Sequence, residues 1–426
     1  MRIESLSQPA RAAPDRIAFG ALLAFAIVMY TIPSVWIPAL ESVRLALVAS
    51  IVAASVTVVR RLARREPFAL DGARGVALIC FGLWTYVSRE WSINPEATEE
   101  HAIEILKLVA IYLTMVNVVT TPRRLAAFAA VMVLASTVTS GHVIDWYHRG
   151  EDLIEGFRAR WVGVYADPNH MAMDVGLVVP LAAALAVHKK NPLWLRVLCV
   201  GAIVMAVTAV VYSYSRGGFI GLIVGITVWI FLHRGRRFST LLVGGALALG
   251  LLLFAPKDFW DRNETLTSFH EDASAMGRVY AWEVAAGISM DYPIAGIGAG
   301  GFPSAWPLYA RPEARTAYVA HNVYLDVVGE LGFVGLMLFL VFTGGAAAGA
   351  LAGSSDRSWG WMAAGIAGAV AGYVVCCLFS GYMTSAHFYV LFALAACSER
   401  VLRGAASAEF AVAPPRARSL TASQPT

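Results

Sequence analysis

The sequence predicts an all-α, polytopic integral membrane protein with about twelve transmembrane helices. Of its 426 residues, 58% are hydrophobic and only 15% are charged, and the mean hydropathy is +0.63. Apolar windows that approach the roughly 20 residues needed to cross a bilayer recur along the whole chain. Lys and Arg residues are concentrated in alternate connecting segments, as expected when basic residues remain on the cytoplasmic side of a membrane.

Twelve windows are predicted to cross the membrane, and most connections between them are short, as in packed neighbouring helices. The windows lie at about 17–34, 44–59, 75–91, 102–119, 125–142, 170–188, 196–213, 217–233, 238–255, 322–349, 359–380 and 386–402.

The basic residues also predict the orientation. If alternate connections are cytoplasmic, they hold 21 of the 33 Lys and Arg residues, against 11 in the opposite connections and Lys107 within a span. This distribution places both termini in the cytoplasm. The net charge of +4 then reflects topology, and since no nucleic-acid-binding motif is present, we expect no nucleic-acid partner. The five cysteines all fall in predicted spans without metal-ligand spacing, so we expect no metal site there.

Two connections on the predicted outer side are long, at 143–169 and 256–320. The expected organisation is spans one to nine over 1–255, a large extracytoplasmic loop with short helices over 256–320, spans ten to twelve over 321–403, and a disordered cytoplasmic tail over 404–426. Helical spacing of apolar residues predicts a helix at 275–290 within the large loop. A G-x-G-x-x-G string follows at 296–301, but without a βαβ unit it predicts a sharp turn or the close approach of a ligand to the backbone, and no nucleotide site.

Three predicted spans, six, eight and ten, start on the outer side near Asp167, Arg216 and His321. Helix N-termini present free N–H groups and the positive end of the helix dipole, which favours bound phosphate. Arg216 lies where basic residues are the minority, and its planar guanidinium suits a pyrophosphate. The alternative is that Arg216 extends to the lipid interface. Its neighbour Ser215 is a predicted substrate contact.

Further candidates flank these helix starts. Arg278 and Trp282 lie at i and i+4 on the predicted loop helix, where the ring could support a sugar or hold the arginine. The alternative for Arg278 is a solvated loop charge. Asp167 and Asn169 are expected to cap span six, with contact to a polar substrate as the alternative.

His321 opens the most informative string, H-N-x9-G-x-x-G, formed by His321, Asn322, Gly332 and Gly335. An ordinary histidine pKa near 6.5 lets the imidazole accept a proton at neutral pH, and Asn322 is a predicted substrate contact. On a continuous helix, Gly332 and Gly335 would lie within about 40° of His321 and beneath it. Their alternative role is close helix packing.

Asp326 and Glu330 form an acidic i, i+4 pair below His321 on the same predicted helix. Charged groups are costly inside a bilayer. We therefore expect this pair to meet a hydroxyl, a backbone donor or Lys107, and we do not expect either carboxylate to be the main base.

These strings resemble the O-antigen ligase and polymerase family. Its H-[NSQ]-x9-G-x-x-[GTY] signature is matched in full, and its R-x3-L signature is matched at Arg216 with Ile220 in place of leucine. The Trp91-Ser92 pair, the Asp167-Pro168-Asn169 stretch, Arg278 and the run at 291–298 are also similar to the family. The resemblance is good over roughly 160–340, and the first 150 residues are similar in topology only.

The resemblance implies a GT-C-like enzyme in the bacterial inner membrane that works at the periplasmic face. The implied reaction is an inverting glycosyl transfer from an undecaprenyl-pyrophosphate-linked glycan, without metal or other cofactor. By position, Arg216 and Arg278 would hold the donor pyrophosphate, and His321 would orient or deprotonate the acceptor hydroxyl.

The resemblance leaves the acceptor open. The signatures favour a ligase acting on lipid A core. The alternatives are a polymerase acting on a second lipid-linked glycan, an enzyme of exopolysaccharide assembly, or an enzyme that glycosylates proteins. Outside this family, twelve spans with both termini inside also fit a transporter, but repeated halves are not evident. A scaffold role would leave Arg216 and His321 without a use.

Overall fold

The computed structural model describes residues 15–233, 245, 273–314, 319–356 and 358–412. The regular elements in these ranges are helices, with a single isolated β-bridge between Ile154 and Arg158. Numbered in chain order over these ranges, the first ten are α1 Arg16–Thr31, α2 Ala39–Val43, α3 Leu45–Ala63, α4 Gly72–Val87, α5 Pro95–Val118, α6 Pro122–Arg149, α7 Pro168–Gly176, α8 Val178–Val187, α9 Leu193–Tyr212 and α10 Arg216–Leu232. The others are α11 Ala273–Asp291, α12 Phe302–Tyr309, α13 Val323–Gly353, α14 Gly360–Cys376 and α15 Ala386–Val412.

Helix length and composition agree with a multi-pass membrane protein. Six helical segments in the described ranges are long and apolar enough to cross a bilayer: Ala39–Ala63, Pro95–Val118, Pro122–Arg149, Pro168–Val187, Leu193–Tyr212 and Val323–Gly353. Shorter apolar helices lie at Arg16–Thr31, Arg216–Leu232 and Gly360–Cys376. A helix lies at each predicted window in these ranges, while the window at 238–255 falls outside them except for Gly245. The number of twelve crossings stays a prediction.

Several helices begin where the local sequence caps them. Asn94 and Thr121 each accept a hydrogen bond from a backbone N–H of the first turn, and each is followed by proline at the first helical position. Such caps satisfy N–H groups that have no partner within the helix. The loop helix expected at 275–290 is confirmed as α11, Ala273–Asp291.

Small residues hold α10 closely against α14. A Cβ added to Gly225 would lie 3.0 Å from the Gly368 carbonyl oxygen, and one added to Gly372 would lie 2.5 Å from that of Gly221. Side chains at these positions would push the two helices apart, so glycine permits a contact that is common between membrane helices. This contact locates the axis of α10, which begins at Arg216.

The helix that follows His321 is not continuous, which corrects the expected arrangement of its glycines. Gly332 has φ 68° and ψ −172°, so α13 is interrupted there. The backbone of residues 293–298 fills the break: Phe333 N–H donates to Pro293 O at 2.8 Å, and Gly298 N–H donates to Glu330 O at 2.9 Å. A side chain at Gly332 would collide with the Ile294 carbonyl. Gly332 therefore serves the break, and the helical angles predicted between His321, Gly332 and Gly335 do not apply.

The last helix runs past the predicted end of span twelve. The expected disordered tail starts at residue 404, but α15 continues to Val412. The segment after 403 contains several alanines, which have the highest helix propensity of all residues and extend the helix. Residues 413–426 lie outside the described ranges.

Candidate functional site

The three predicted helix starts are N-termini with side-chain caps. Asp167 Oδ1 accepts from the N–H groups of Asn169 and His170 at 2.7 and 3.1 Å. Ser215 Oγ accepts from Gly218 N–H at 3.2 Å, and Asn322 Oδ1 accepts from Tyr324 and Leu325 N–H at 3.0 and 3.2 Å. The cap predicted for Asp167 is confirmed. Ser215 and Asn322 have the same structural task, and contact of any of these residues with substrate stays a prediction.

Arg158 joins the start of α7 to the turn before α10, and sequence reasoning missed it. Its Nη2 donates to Asn169 Oδ1 at 2.9 Å, and its Nε donates to Ser213 O at 3.1 Å. The side chain is only 6% exposed and pairs with Glu155 at 3.4 Å. The signal was available, because Arg158 is a basic residue on the predicted outer side, as Arg216 is. Asn169 is thus engaged by Arg158 and does not itself cap α7.

Arg216 is the first residue of α10 and follows Ser213 by three positions. Its helix begins directly against α7, since a Cβ added to Gly218 would lie 2.6 Å from the Ala172 Cβ. The contact between α7 and α10 therefore places the N-terminal ends of both helices in one region. This arrangement agrees with the predicted grouping of Arg216 with Asp167.

Arg278 and Asp167 act on His321 from two different elements. Burial and, after it, the positive charge of Arg278 lower the pKa of His321 to about 4, although the negative charge of Asp167 opposes them. The imidazole is therefore neutral at neutral pH. Its Nδ1 is buried and has no hydrogen-bond partner in the described part of the chain. Buried polar atoms without partners are uncommon and mark places where a ligand group can bind.

Asp167 is the ionised partner in this group. Burial tends to raise the pKa of Asp167, but the nearby His170 and the backbone N–H groups of His170 and Asn169 lower it overall. A carboxylate close to a neutral histidine stabilises the imidazolium that forms when the histidine accepts a proton. His321 and Asp167 are thus suited to work as a base and its electrostatic support.

Trp282 positions the backbone in front of His321. Its Nε1 donates to Ala320 O at 3.1 Å, and His321 itself has a left-handed φ of 49°. A non-glycine residue in this conformation is unusual and is held by its surroundings. The indole N–H thus anchors the residue before the histidine. Support of a sugar or of Arg278 by the Trp282 ring stays a prediction.

The glycine-rich loop at 293–301 has a structural role, because its backbone is hydrogen-bonded to the segment that contains Trp91 and Ile93. Trp91 Nε1 donates to Ala295 O at 3.2 Å, and Ile93 N–H donates to Ile297 O at 3.0 Å. Gly296, Gly298 and Gly300 have positive φ angles of 66°, 91° and 72°. The predicted sharp turn is confirmed, and the approach of a ligand to this backbone stays a prediction.

The carboxylate of Glu330 holds the end of this loop. It accepts hydrogen bonds from the N–H groups of Gly300 at 2.7 Å and Phe302 at 3.0 Å. The expectation that Glu330 meets a backbone donor is confirmed. The alternative partner, Lys107, instead pairs with Glu104 at 2.6 Å.

Comparison with known proteins identifies relatives of this chain. Residues 200–340 match the family described as O-antigen ligase. The resemblance to the O-antigen ligase and polymerase family is confirmed. The chain is also 24% identical over 282 residues to the exopolysaccharide production protein ExoQ of Rhizobium meliloti (strain 1021). That alignment covers 61% of this chain and 62% of ExoQ, so the chain spans less than two thirds of the length of this relative.

The part matched to the O-antigen ligase family contains Arg216, Arg278 and His321. It begins after Asp167 and Arg158, whose charges also act on His321. The site thus combines guanidinium groups that suit a pyrophosphate, helix N-termini that favour anions, and a neutral imidazole that can accept a proton.

Proposed function

We propose that this protein of the O-antigen ligase and polymerase family is a membrane glycosyltransferase. It moves a glycan from an undecaprenyl-pyrophosphate donor to a hydroxyl acceptor at the periplasmic face of the bacterial inner membrane. The observation that carries the proposal is the neutral, partly buried His321, whose buried Nδ1 has no partner among the described residues and which lies close to Arg278 and Asp167. This group combines a base with charges of both signs beside helix N-termini.

The proposed reaction is an inverting displacement. The acceptor oxygen bonds to the anomeric carbon of the donor glycan while the bond from that carbon to the pyrophosphate oxygen breaks. His321 takes the proton of the acceptor hydroxyl, and undecaprenyl pyrophosphate leaves with the bonding electron pair. Arg216 and Arg278 stabilise the charge that develops on the leaving group, and Asp167 stabilises the imidazolium. We propose that these arginines make a metal ion unnecessary.

The first candidate acceptor is the lipid A core, which makes the enzyme a ligase; the match of residues 200–340 to the O-antigen ligase family supports it. The second is another lipid-linked glycan, which makes the enzyme a polymerase. The similarity to ExoQ, whose name refers to exopolysaccharide production, favours this second candidate. Both acceptors use the same site chemistry and differ only in the hydroxyl that His321 serves.

Deleting the gene and separating the surface glycans on a gel distinguishes these candidates. Lipid A core without any attached glycan indicates a ligase, core with a single repeat indicates an O-antigen polymerase, and loss of a secreted polymer indicates exopolysaccharide assembly. Complementation with His321→Ala or Arg216→Ala should not restore the glycan. Complementation with Arg311→Ala should, because Arg311 is 61% exposed and pairs only with Glu283 in the described ranges. Restoration by His321→Ala would refute the mechanism.

A further inference from the structure

An apolar groove runs beside the functional site between α1, α3 and α5. Its volume of about 720 Å³ is within the range of cavities that bind small organic ligands. Hydrophobic side chains such as Phe25, Met29, Leu47 and Leu108 line it. Its charged lining residues are Glu41, Arg44, Glu104 and Lys107. A groove of this composition suits a hydrocarbon chain that ends in a polar group.

A second, polar cavity of about 140 Å³ lies next to the functional site. It is smaller than the roughly 300–1,000 Å³ of pockets that enclose a whole small ligand, so it suits one part of a larger substrate. Its polar lining consists of two imidazoles, two carboxylates and two hydroxyls, from His101, His170, Asp326, Glu330, Tyr382 and Thr384. His170 Nε2 is buried and has no hydrogen-bond partner in the described ranges. Such a lining suits the hydroxyls of a sugar.

Tyr382 and Thr384 line both cavities. They lie in the segment between α14 and α15, where Gly381 has a φ of 96°. A Cβ added to Gly381 would lie 3.0 Å from Val323 Cγ2, so this segment packs closely against the start of α13. The ring of Tyr382 packs on that of His170, with 4.6 Å between centroids. The phenol thus stands between the groove and the polar cavity.

We propose that Tyr382 is a substrate-contacting residue at the junction of these two cavities. The hydrocarbon chain of the lipid-linked donor occupies the apolar groove, and the sugar next to its pyrophosphate occupies the polar cavity. The proposal rests on the proposed function and extends it, because it assigns a site to each part of the donor. Burial raises the pKa of the Tyr382 phenol, so its O–H is available as a donor at neutral pH.

The chemistry of transfer favours the donor as the occupant of the groove. In the donor, the reacting anomeric carbon is joined to the hydrocarbon chain through the pyrophosphate alone, so an apolar channel must lie next to the reaction site. In either acceptor, sugars separate the reacting hydroxyl from any lipid chain. An apolar channel that meets the polar cavity at Tyr382, whose ring packs on His170, therefore suits the donor better than the acceptor.

The first test fills the groove. Ser50 lines the groove, whereas the next residue, Ile51, is 53% exposed on the outside of α3. Ser50→Trp should raise the KM for an undecaprenyl-pyrophosphate donor about tenfold, while Ile51→Trp leaves it unchanged. With a donor that carries two isoprene units, the same substitution should change KM less than twofold. If Ser50→Trp is not folded by thermal unfolding in detergent, Ser50→Leu takes its place.

The second test addresses the junction. Tyr382→Ala should raise the donor KM at least fivefold and leave the acceptor KM unchanged, and Tyr382→Phe reports the share of the hydroxyl alone. The control is Tyr86→Ala, since Tyr86 is 49% exposed on α4. A raised acceptor KM with an unchanged donor KM would assign the groove to the acceptor and overturn the proposal. The proposal would also be overturned if neither KM changed. If the wild-type protein transfers nothing from a lipid pyrophosphate, the proposed function itself fails.

Discussion

Trp282 donates its indole N–H to the carbonyl oxygen of Ala320 at 3.1 Å, and this bond ties α11 to the residue that precedes His321. The same helix carries Arg278, whose charge contributes to the low pKa of His321. The helix α11 thus both holds the residue before the histidine and, after burial, contributes to the low pKa of the imidazole.

Loss of that bond should slow transfer without unfolding the protein. Trp282→Phe keeps the ring but removes the N–H, and a hydrogen bond of this kind is worth about 1 kcal/mol, or roughly fivefold in rate. We expect kcat to fall by about that factor. Trp306→Phe is the matched control, because Trp306 donates to Ala314 O at the same 3.1 Å. Equal effects of the two substitutions on kcat would contradict a positioning role for Trp282.

The low pKa of His321 predicts an unusual pH profile. A base works only when it is unprotonated, so activity should be lost as the pH falls through about 4, and not near the ordinary value of about 6.5. Measured kcat/KM should therefore be level between about pH 6 and 8. Arg278→Gln removes a charge that lowers the pKa, and should shift the acid limb of the residual activity to higher pH. An acid limb near 6.5 in the wild type would argue against His321 as the base.

Arg158 should be needed for the arrangement of α7 and α10. Its guanidinium binds Asn169 and Ser213 in two directions, which a lysine cannot reproduce. Arg158→Lys should lower the free energy of unfolding by roughly 1.5–3 kcal/mol and reduce transfer. The control is Arg149→Ala, whose side chain is 61% exposed. Thermal unfolding in detergent measures the effect on stability, and donor-dependent rates measure the effect on transfer. An Arg158→Lys variant as stable and active as the wild type would contradict this role of Arg158.

Gly332 should tolerate no side chain. Its φ of 68° and the nearby Ile294 carbonyl both exclude a Cβ, and the backbone strain alone costs about 1–3 kcal/mol. Gly332→Ala should lower the unfolding temperature and displace the loop at 293–301. Gly344→Ala, in the same helix with nothing within 4 Å, should be neutral. Similar unfolding temperatures for both variants would indicate that α13 can close its break.

Transfer should not depend on a divalent metal ion. The proposed site stabilises the leaving pyrophosphate with Arg216 and Arg278, so EDTA should leave the initial rate unchanged within about twofold. Activity that falls with EDTA and returns with Mg²⁺ or Mn²⁺ would refute this part of the proposal. Addition of each ion to untreated enzyme completes the comparison.

The arrangement of the glycine-rich loop shows where sequence reasoning reached its limit. The string H-N-x9-G-x-x-G points to His321, and on a continuous helix it would also place Gly332 beneath that residue. Nothing local to that helix reveals that residues 293–298 fill a break in it. In the same way, the hydrogen bond between Trp91 and Ala295 joins residues that are about two hundred positions apart. A contact of this kind leaves no periodic pattern in the sequence.

Composition, apolar windows and capping residues determined the helices, because hydrophobic length and local N–H satisfaction are properties of short segments. The motifs also identified Arg216, Arg278 and His321 as candidates. Only the tertiary structure decided that Arg158 links Asn169 to Ser213, that Asp167 and Arg278 act on one histidine, and that Tyr382 borders two cavities. These relationships depend on packing between distant segments, which sets burial and the distances between charges, and a single sequence records neither.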